Sequence, residues 1–455
     1  MTRSQLLSAD GKKSNPYFLQ QMLTCGDQKW FQPRYEAPLK RTKVVEYEIA
    51  LPKDLNPFQV FDSRQNTWKV LWKSKDSQEV RVGIGTCVFL SQEELESLTV
   101  GCRFYGGLPF YGHQGEFFGW SEFALGRFFL PETEWVLGTD KPRILVRCLV
   151  EKKWCHIDMV EKVKKILSGF HITDIFLNQP LNGMTSTDVP PFPVWCHLVE
   201  MIKEKIHRQE AEKIVLSRCR QIEMNGLHLP TLLSRLSEND EHSFQFAFET
   251  PSGSAFLGRS PERLMSWKQG QVSVDAMAGT RRRGHSLASD QKAAEELKNS
   301  SKDIGEHRAV SRFLEAELAE FCSEVKKVDA ERIYRLKNVQ HLVSRYRATV
   351  KSGVSPFDVM NRLHPTPAVG GVPRKVAVDF LRQFEPYYRG WFAGPVGWTN
   401  GQEGDFAIGI RSARWTGTAL HVFGGAGIVA GSDPLEEWNE AELKMKNFFD
   451  LIDLR

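Results

Sequence analysis

Five short segments in the second half of the chain carry side chains whose types and spacing suit acid–base chemistry on a small anion. Lys213-Ile-Val-Leu-Ser-Arg218 places an ammonium at the mouth of an apolar strand. A lysine there is usually solvated; as a general base it must release its proton near neutral pH, which needs burial or neighbouring cations. Phe256-Leu-Gly-Arg-Ser-Pro-Glu262 puts a carboxyl at a Ser-Pro turn. The bland assignment is an ion-paired Glu; as a general acid it would need a raised pKa. Met277-Ala-Gly279-Thr280 precedes three arginines, Arg281 to Arg283, of which at least two are expected in a solvated turn. Small residues before a hydroxyl let backbone N–H groups approach an anion.

The remaining two segments supply carboxylates. Ser301-Lys-Asp-Ile-Gly-Glu306-His307 runs into Val310, Phe313 and Leu314 at helical spacing, so Glu306 and His307 are expected in the first turn of a half-buried helix. A Glu there is ordinarily only favourable to the helix dipole. Gly424-Gly-Ala-Gly427 leads to Asp433-Pro434-Leu-Glu436-Glu437-Trp-Asn-Glu440-Ala-Glu-Leu-Lys444. Asp433 as N-cap and Pro434 at the first helical position predict a helix start. Spacings of three and seven put Glu437, Glu440 and Lys444 on one face. The glycines are expected to form a turn before that helix, a ready anion site. Carboxylates without a Cys/His set favour Mg²⁺ over Zn²⁺. His364 and Ala368, in His-Pro-Thr-Pro-Ala, and an isolated Arg411 complete the candidates; a guanidinium fork suits two-point binding of a carboxylate.

The elements that must hold these groups mix strands and helices without βαβ alternation. Period-2 patterning predicts strands at Lys43–Leu51, Val80–Leu90, Arg143–Val150, Lys213–Arg218, Phe244–Thr250, Val272–Ala276, Trp391–Trp398, Asp405–Ser412 and Ala419–Phe423. Helical spacing predicts helices at Glu151–Ser168, Val194–Glu212, Ser289–Ser323 and Asp433–Leu454. The fold class is therefore α+β, a single large unit of antiparallel sheets flanked by helices. Residues 1–43 are polar and irregular; residues 1–75 form a variable N-terminal segment with the first strands, and residues 76–455 the catalytic unit. The aromatic, glycine-rich stretch Phe104–Trp120 is assigned to core packing.

Composition narrows the functions. The 455 residues are 41% hydrophobic and 25% charged, which excludes a disordered or collagenous chain. A net charge of +4 gives no footprint for nucleic acid. Eight scattered cysteines without a C-x-x-C pair point to reduced thiols. The N-terminus lacks an apolar signal region and no apolar run would span a bilayer, so a cytoplasmic protein is expected. No phosphate-binding glycine loop follows a strand, which disfavours an NAD or ATP enzyme.

Taken in order, these motifs resemble the chorismate-utilising enzymes: isochorismate synthases, salicylate synthases and the large subunits of anthranilate and aminodeoxychorismate synthases. The resemblance covers Lys213 to Lys444 closely and residues 80–200 more weakly. It is greatest to isochorismate synthases of the menaquinone or siderophore type. The resemblance implies Lys213 as the base that activates water and Glu262 as the acid that protonates the departing C4 hydroxyl of chorismate. It implies Mg²⁺ on Glu306 and Glu440 with Glu437 in support. It implies Arg411, Lys444, Gly279, Thr280, Gly425 and Gly427 around the substrate carboxylates and His364 beside the ring, and no obligatory protein partner. Ala368 matches isochorismate synthases, where the pyruvate-expelling branches carry Thr. Lys213 argues against anthranilate synthase, and no L-L-E-S feedback motif occurs near the N-terminus. The chain departs from the family at Arg282, where Pro is frequent, and at Ser311 and Arg312, where the family often has Val-Asp. The alternatives are a salicylate synthase and a non-catalytic relative serving as a partner module.

Overall fold

The computed structural model describes residues 33–454 apart from 40–41, 76, 97–100, 112–119, 124–126, 151–155, 173–179, 239–241, 285 and 336–338. Two antiparallel sheets dominate it. The larger has thirteen described strands. Its centre runs, in spatial order, Lys69–Lys73, Phe244–Glu249, Ala255–Ser260, Ser412–Trp415, Ala419–Ile428 and Lys213–Glu223. The smaller has nine, including Val339–Val350, Gln271–Arg282, Arg263–Lys268, Glu403–Ile408 and Pro395–Thr399 as neighbours in that order. The architecture is the expected α+β, antiparallel sheets flanked by helices.

Side-chain alternation explains the layering. In Phe244–Glu249 the rings of Phe244, Phe246 and Phe248 enter one apolar cluster while Ala247 enters another. Trp72 and Leu71 divide in the same way, as do Phe256 and Leu257. The first cluster lies between the sheets, where Trp267 stacks on Phe406 with centroids 5.5 Å apart. The second lies on the outer face of the larger sheet, under the helices Pro57–Asp62, His156–Ser168 and Leu229–Ser237. Of these central strands, period-2 alternation predicts Phe244–Glu249, Ala419–Ile428 and Lys213–Glu223, whereas Lys69–Lys73 and Ala255–Ser260, buried on both faces, carry no such signal.

Several expected boundaries move, each for a local reason. The segment Val80–Leu90 is two strands, Val80–Ile84 in the larger sheet and Val88–Leu90 in the smaller. Asp405–Ser412 likewise divides into Glu403–Ile408 and Ser412–Trp415, again in different sheets. The chain stays extended and buried as it changes sheet, so alternation continues across the break. The predicted helix Ser289–Ser323 is two, Leu287–Asn299 and Ser301–Phe321, because Ser300 is extended and its side chain caps the second through Asp303 N–H. Glu306 consequently lies in the second turn, not the first. Glycines 424, 425 and 427 do not form a turn; they lie within the strand Ala419–Ile428. Arg281 and Arg282 end a strand instead of lying in a turn. Arg281 pairs with Asp303 at 2.7 Å and Arg283 with Asp290 at 2.6 Å. Within the segment expected to be irregular, Pro33–Leu39 pairs with Thr42–Ala50; residues 1–32 and the start of the predicted helix at 151–155 lie outside the described residues. Of the aromatic stretch, Phe104, Tyr105, Phe110 and Trp120 are buried, and 112–119 lie outside the description.

The helix Pro434–Phe449 is fixed at its start by Asp433, whose Oδ1 accepts from Leu435 and Glu436 N–H at 2.9 and 3.0 Å. It lies so close to the strand Ala419–Ile428 that a Cβ on Gly424 would stand 2.4 Å from the carbonyl oxygen of Ala441. Gly424→Ala is expected to push the helix off the sheet and destabilise the fold by about 1–3 kcal/mol. Thermal denaturation checks this; an unchanged midpoint would show that the helix gives way freely.

Candidate active site

One cavity forms where the two sheets exchange strands. The link Pro261–Glu262 carries the chain from Ala255–Ser260 in the larger sheet to Arg263–Lys268 in the smaller. The link Gly409–Arg411 carries it back, from Glu403–Ile408 to Ser412–Trp415. Both links line the cavity. They are tied together by Ile408 N–H donating to the Glu262 carbonyl at 3.0 Å and Arg259 N–H donating to the Arg411 carbonyl at 3.0 Å. Ser260 Oγ accepts from Glu262 N–H at 3.2 Å, which accounts for the Ser-Pro pair.

Glu262 is 5% exposed. Burial pushes its carboxyl up to about 8, against the opposing pull of Lys75, Lys444 and Lys213. It therefore holds a proton at neutral pH. Arg411 adopts φ = +50°, a strained conformation for a side-chain-bearing residue. Its guanidinium makes no hydrogen bond or salt bridge among the described residues, and burial holds it down to about 10. A half-buried cation with no hydrogen bond or salt bridge among the described residues, facing a cavity, suits a carboxylate.

Lys213 opens the strand Lys213–Glu223, and its half-buried side chain runs across the neighbouring strand. A Cβ on Gly427 would stand 2.3 Å from Lys213 Cε. The glycine is thus a groove for the lysine stem. The ammonium makes no hydrogen bond or salt bridge among the described residues. Next to it, Lys444 Nζ donates to the Gly425 carbonyl at 2.8 Å and pairs with Glu440 at 2.7 Å.

Gly279 sits at a break in register with φ = +77°, next to Thr280. A bulge of this kind re-aims the following side chain. Thr280 Oγ1 meets His341 Nδ1 at 3.0 Å. His341 lines the cavity, its Nε2 is buried without a partner among the described residues, and burial together with Arg411 pushes it down to about 3. The ring is neutral, and its free nitrogen is available to a ligand.

Glu306, Glu437 and Glu440 line the same cavity. Glu437 is 7% exposed and accepts from Ser432 Oγ at 2.7 Å. Among the described residues no three His, Cys, Asp or Glu side chains form a preassembled metal cluster. An open set of hard oxygen donors nevertheless fits Mg²⁺, which takes few protein ligands and keeps waters or substrate oxygens.

Twelve of the thirteen predicted site residues line this cavity: Lys213, Glu262, Gly279, Thr280, Glu306, Ala368, Arg411, Gly425, Gly427, Glu437, Glu440 and Lys444. His364 does not. It terminates the helix Pro356–Leu363 and turns into the aromatic core, with Nε2 3.1 Å from the Phe110 carbonyl. Sequence reasoning missed His341, Ser217 and Arg389, which also line the cavity. Arg389 is buried, bonded to Glu385 at 2.6 Å and to the carbonyls of Val369 and Val215 at 3.0 and 2.7 Å. It thereby latches the Ala368 loop to the Lys213 strand. The Arg of the Lys213 motif and the Trp of the Glu437 motif meet: Arg218 lies 3.6 Å over the Trp438 ring and pairs with Asp188 and Glu442. This contact seats the acid-bearing helix on the sheet. No helix among the described residues is long and apolar enough to cross a membrane.

The chain matches the chorismate binding enzyme family over residues 89–453. It is 32% identical over 357 residues to isochorismate synthase MenF of Bacillus subtilis, covering 78% of this chain and 75% of that one. It is 31% identical over 400 residues to the chloroplastic isochorismate synthase 2 of Arabidopsis thaliana, covering 82% and 71%. The solved structure of the menaquinone-specific isochorismate synthase MenF from Escherichia coli superposes with a TM-score of 0.80 at 22% identity, covering 96% of this chain and 98% of that one. With the family match spanning its whole second half and the site built from matched residues, this chain belongs to the chorismate binding enzymes.

Proposed function

We propose that this chain is an isochorismate synthase, an isomerase that moves a hydroxyl of chorismate from C4 to C2. The observation that carries the reading is the meeting of Lys213, a protonated Glu262, two cations and three carboxylates around one cavity. Arg411 and Lys444 hold the substrate carboxylates, with the backbone at Gly279, Gly425 and Gly427 and the Thr280–His341 pair completing the cradle. Lys213 accepts a proton from water as the water oxygen bonds to C2. The ring electrons shift, the C4–O bond breaks, and Glu262 gives its proton to the departing hydroxyl, which leaves as water. One water enters and one leaves, so no redox cofactor is required. Each proton transfer contributes roughly 10²–10⁴-fold. Glu306 and Glu440, with Glu437, would hold Mg²⁺, which when bound neutralises the ring carboxylate and draws electron density toward it. Ala368 beside the cavity agrees with release of isochorismate instead of pyruvate elimination.

Incubating the purified protein with chorismate and Mg²⁺ and identifying the product tests the reading: isochorismate is expected, and salicylate or unchanged chorismate would overturn it. Lys213→Ala and Glu262→Gln are each expected to lower kcat by at least about 10²-fold with the thermal midpoint unchanged; near wild-type turnover in either removes that residue from the mechanism. Glu262 acts only when protonated, so the alkaline limb of kcat is expected to fall as pH rises through about 8. A pH–rate profile that instead rises there would exclude Glu262 as the acid. A chelator is expected to abolish turnover and added Mg²⁺ to restore it, with Glu306→Gln needing more Mg²⁺; chelator-resistant turnover would remove the metal.

A further inference from the structure

Beneath Glu262 lies an ion pair that the reaction itself does not use. Lys75 and Asp275 are bonded to each other, and neither side chain has any solvent exposure. Lys75 follows the strand Lys69–Lys73 of the larger sheet and Asp275 lies in Gln271–Arg282 of the smaller, so the pair bridges the two. The same ammonium reaches the Pro261 carbonyl at 3.4 Å, one residue before Glu262. Lys75 precedes the family match, which starts at residue 89. Stability is a poor reason for such a pair, because apolar side chains of similar volume commonly hold a core as well or better.

The charges that act on Glu262 are those of Lys75, Asp275, Lys444 and Lys213, and Arg411, Glu306, Glu437 and Glu440 line the same cavity. Behind the pair stand Arg345, 3.0 Å from Asp275, and Arg263, itself 2.9 Å from Asp405. Tyr334 covers the Lys75 ammonium at 5.1 Å. A lone cation at this position would favour the ionised carboxylate and strip the acid of its proton; a lone anion would do the opposite.

We infer that Lys75 and Asp275 are positioning residues for the acid step: the lysine ties down the Pro261–Glu262 link, and the aspartate cancels its charge where it faces the Glu262 carboxyl. This rests on Glu262 being the acid. The test is kcat against pH, at saturating chorismate and Mg²⁺, for wild type, Lys75→Met, Lys75→Arg and Asp275→Asn. Lys75→Met, in which Arg345 still pairs Asp275, is expected to move the alkaline limb up by about half a pH unit or more. Asp275→Asn, which leaves the lysine uncompensated, is expected to move it down by about as much. Lys75→Arg keeps the cation and is expected to leave the limb in place. If Lys75→Met does not fold, Lys75→Gln carries the same arm. Limbs that coincide, or that move the same way in both variants, overturn the inference even if kcat falls in each. A wild type that leaves chorismate unchanged sinks the assignment of Glu262 and this inference with it; an active wild type with unmoved limbs sinks the pair alone.

Discussion

The site depends on strands that leave one sheet and enter the other inside the core. At Pro261–Glu262 and again at Gly409–Arg411, the chain is extended on both sides and hydrogen-bonded on both sides. A two- or three-residue link held in this way has little freedom, and its side chains line the cavity. Desolvation then acts on both groups at once. It raises Glu262 to about 8 and lowers Arg411 to about 10, each toward its neutral form. The same geometry sets a protonated carboxyl and a guanidinium without a salt bridge among the described residues against one cavity.

The Lys213 side of the cavity uses a different device. A strand with glycines at 424, 425 and 427 lets two things approach closely: the helix Pro434–Phe449 from one direction and the Lys213 side chain from the other. Three residues without a Cβ weaken a sheet locally, and the surrounding contacts restore order. Arg218 on Trp438, and Arg389 bridging Val215 and Val369, fix the helix and the Ala368 loop against the same strand. Lys213 and the helix that carries Glu437 and Glu440 are thereby held by one element, the strand Lys213–Glu223.

The polar interior is not confined to the cavity. Ser74 Oγ donates to Asp405 at 2.8 Å, Arg263 pairs with the same carboxylate, and Lys75 pairs with Asp275. Charged groups so placed demand matched partners, since each alone would be expensive to bury. The residues just after the strand Lys69–Lys73 thus reach the link that carries Glu262, through Lys75 on the Pro261 carbonyl.

Local physics made much of this readable in advance. Asp433-Pro434 declared a helix start, apolar alternation declared several strands, and the order of Lys213, Glu262, Glu306, Glu437 and Glu440 resembled one family, whose match over residues 89–453 spans all five. Such features are set by backbone dihedrals, spacing and side-chain chemistry, which neighbours in sequence control. The packing was not readable. Nothing in the alternation of Asp405–Ser412 marks a change of sheet, because extended, buried chain looks the same on either side of the break. Gly424–Gly427 resembled a turn because isolated glycines favour turns, whereas here close approach of a helix and a lysine requires them. His364 and His341 are indistinguishable as letters; only the packing sends one ring into the aromatic core and the other to the cavity wall. Which charges share a buried space, such as Lys75 with Asp275 two hundred residues on, is decided by long-range sheet pairing, which local sequence does not encode.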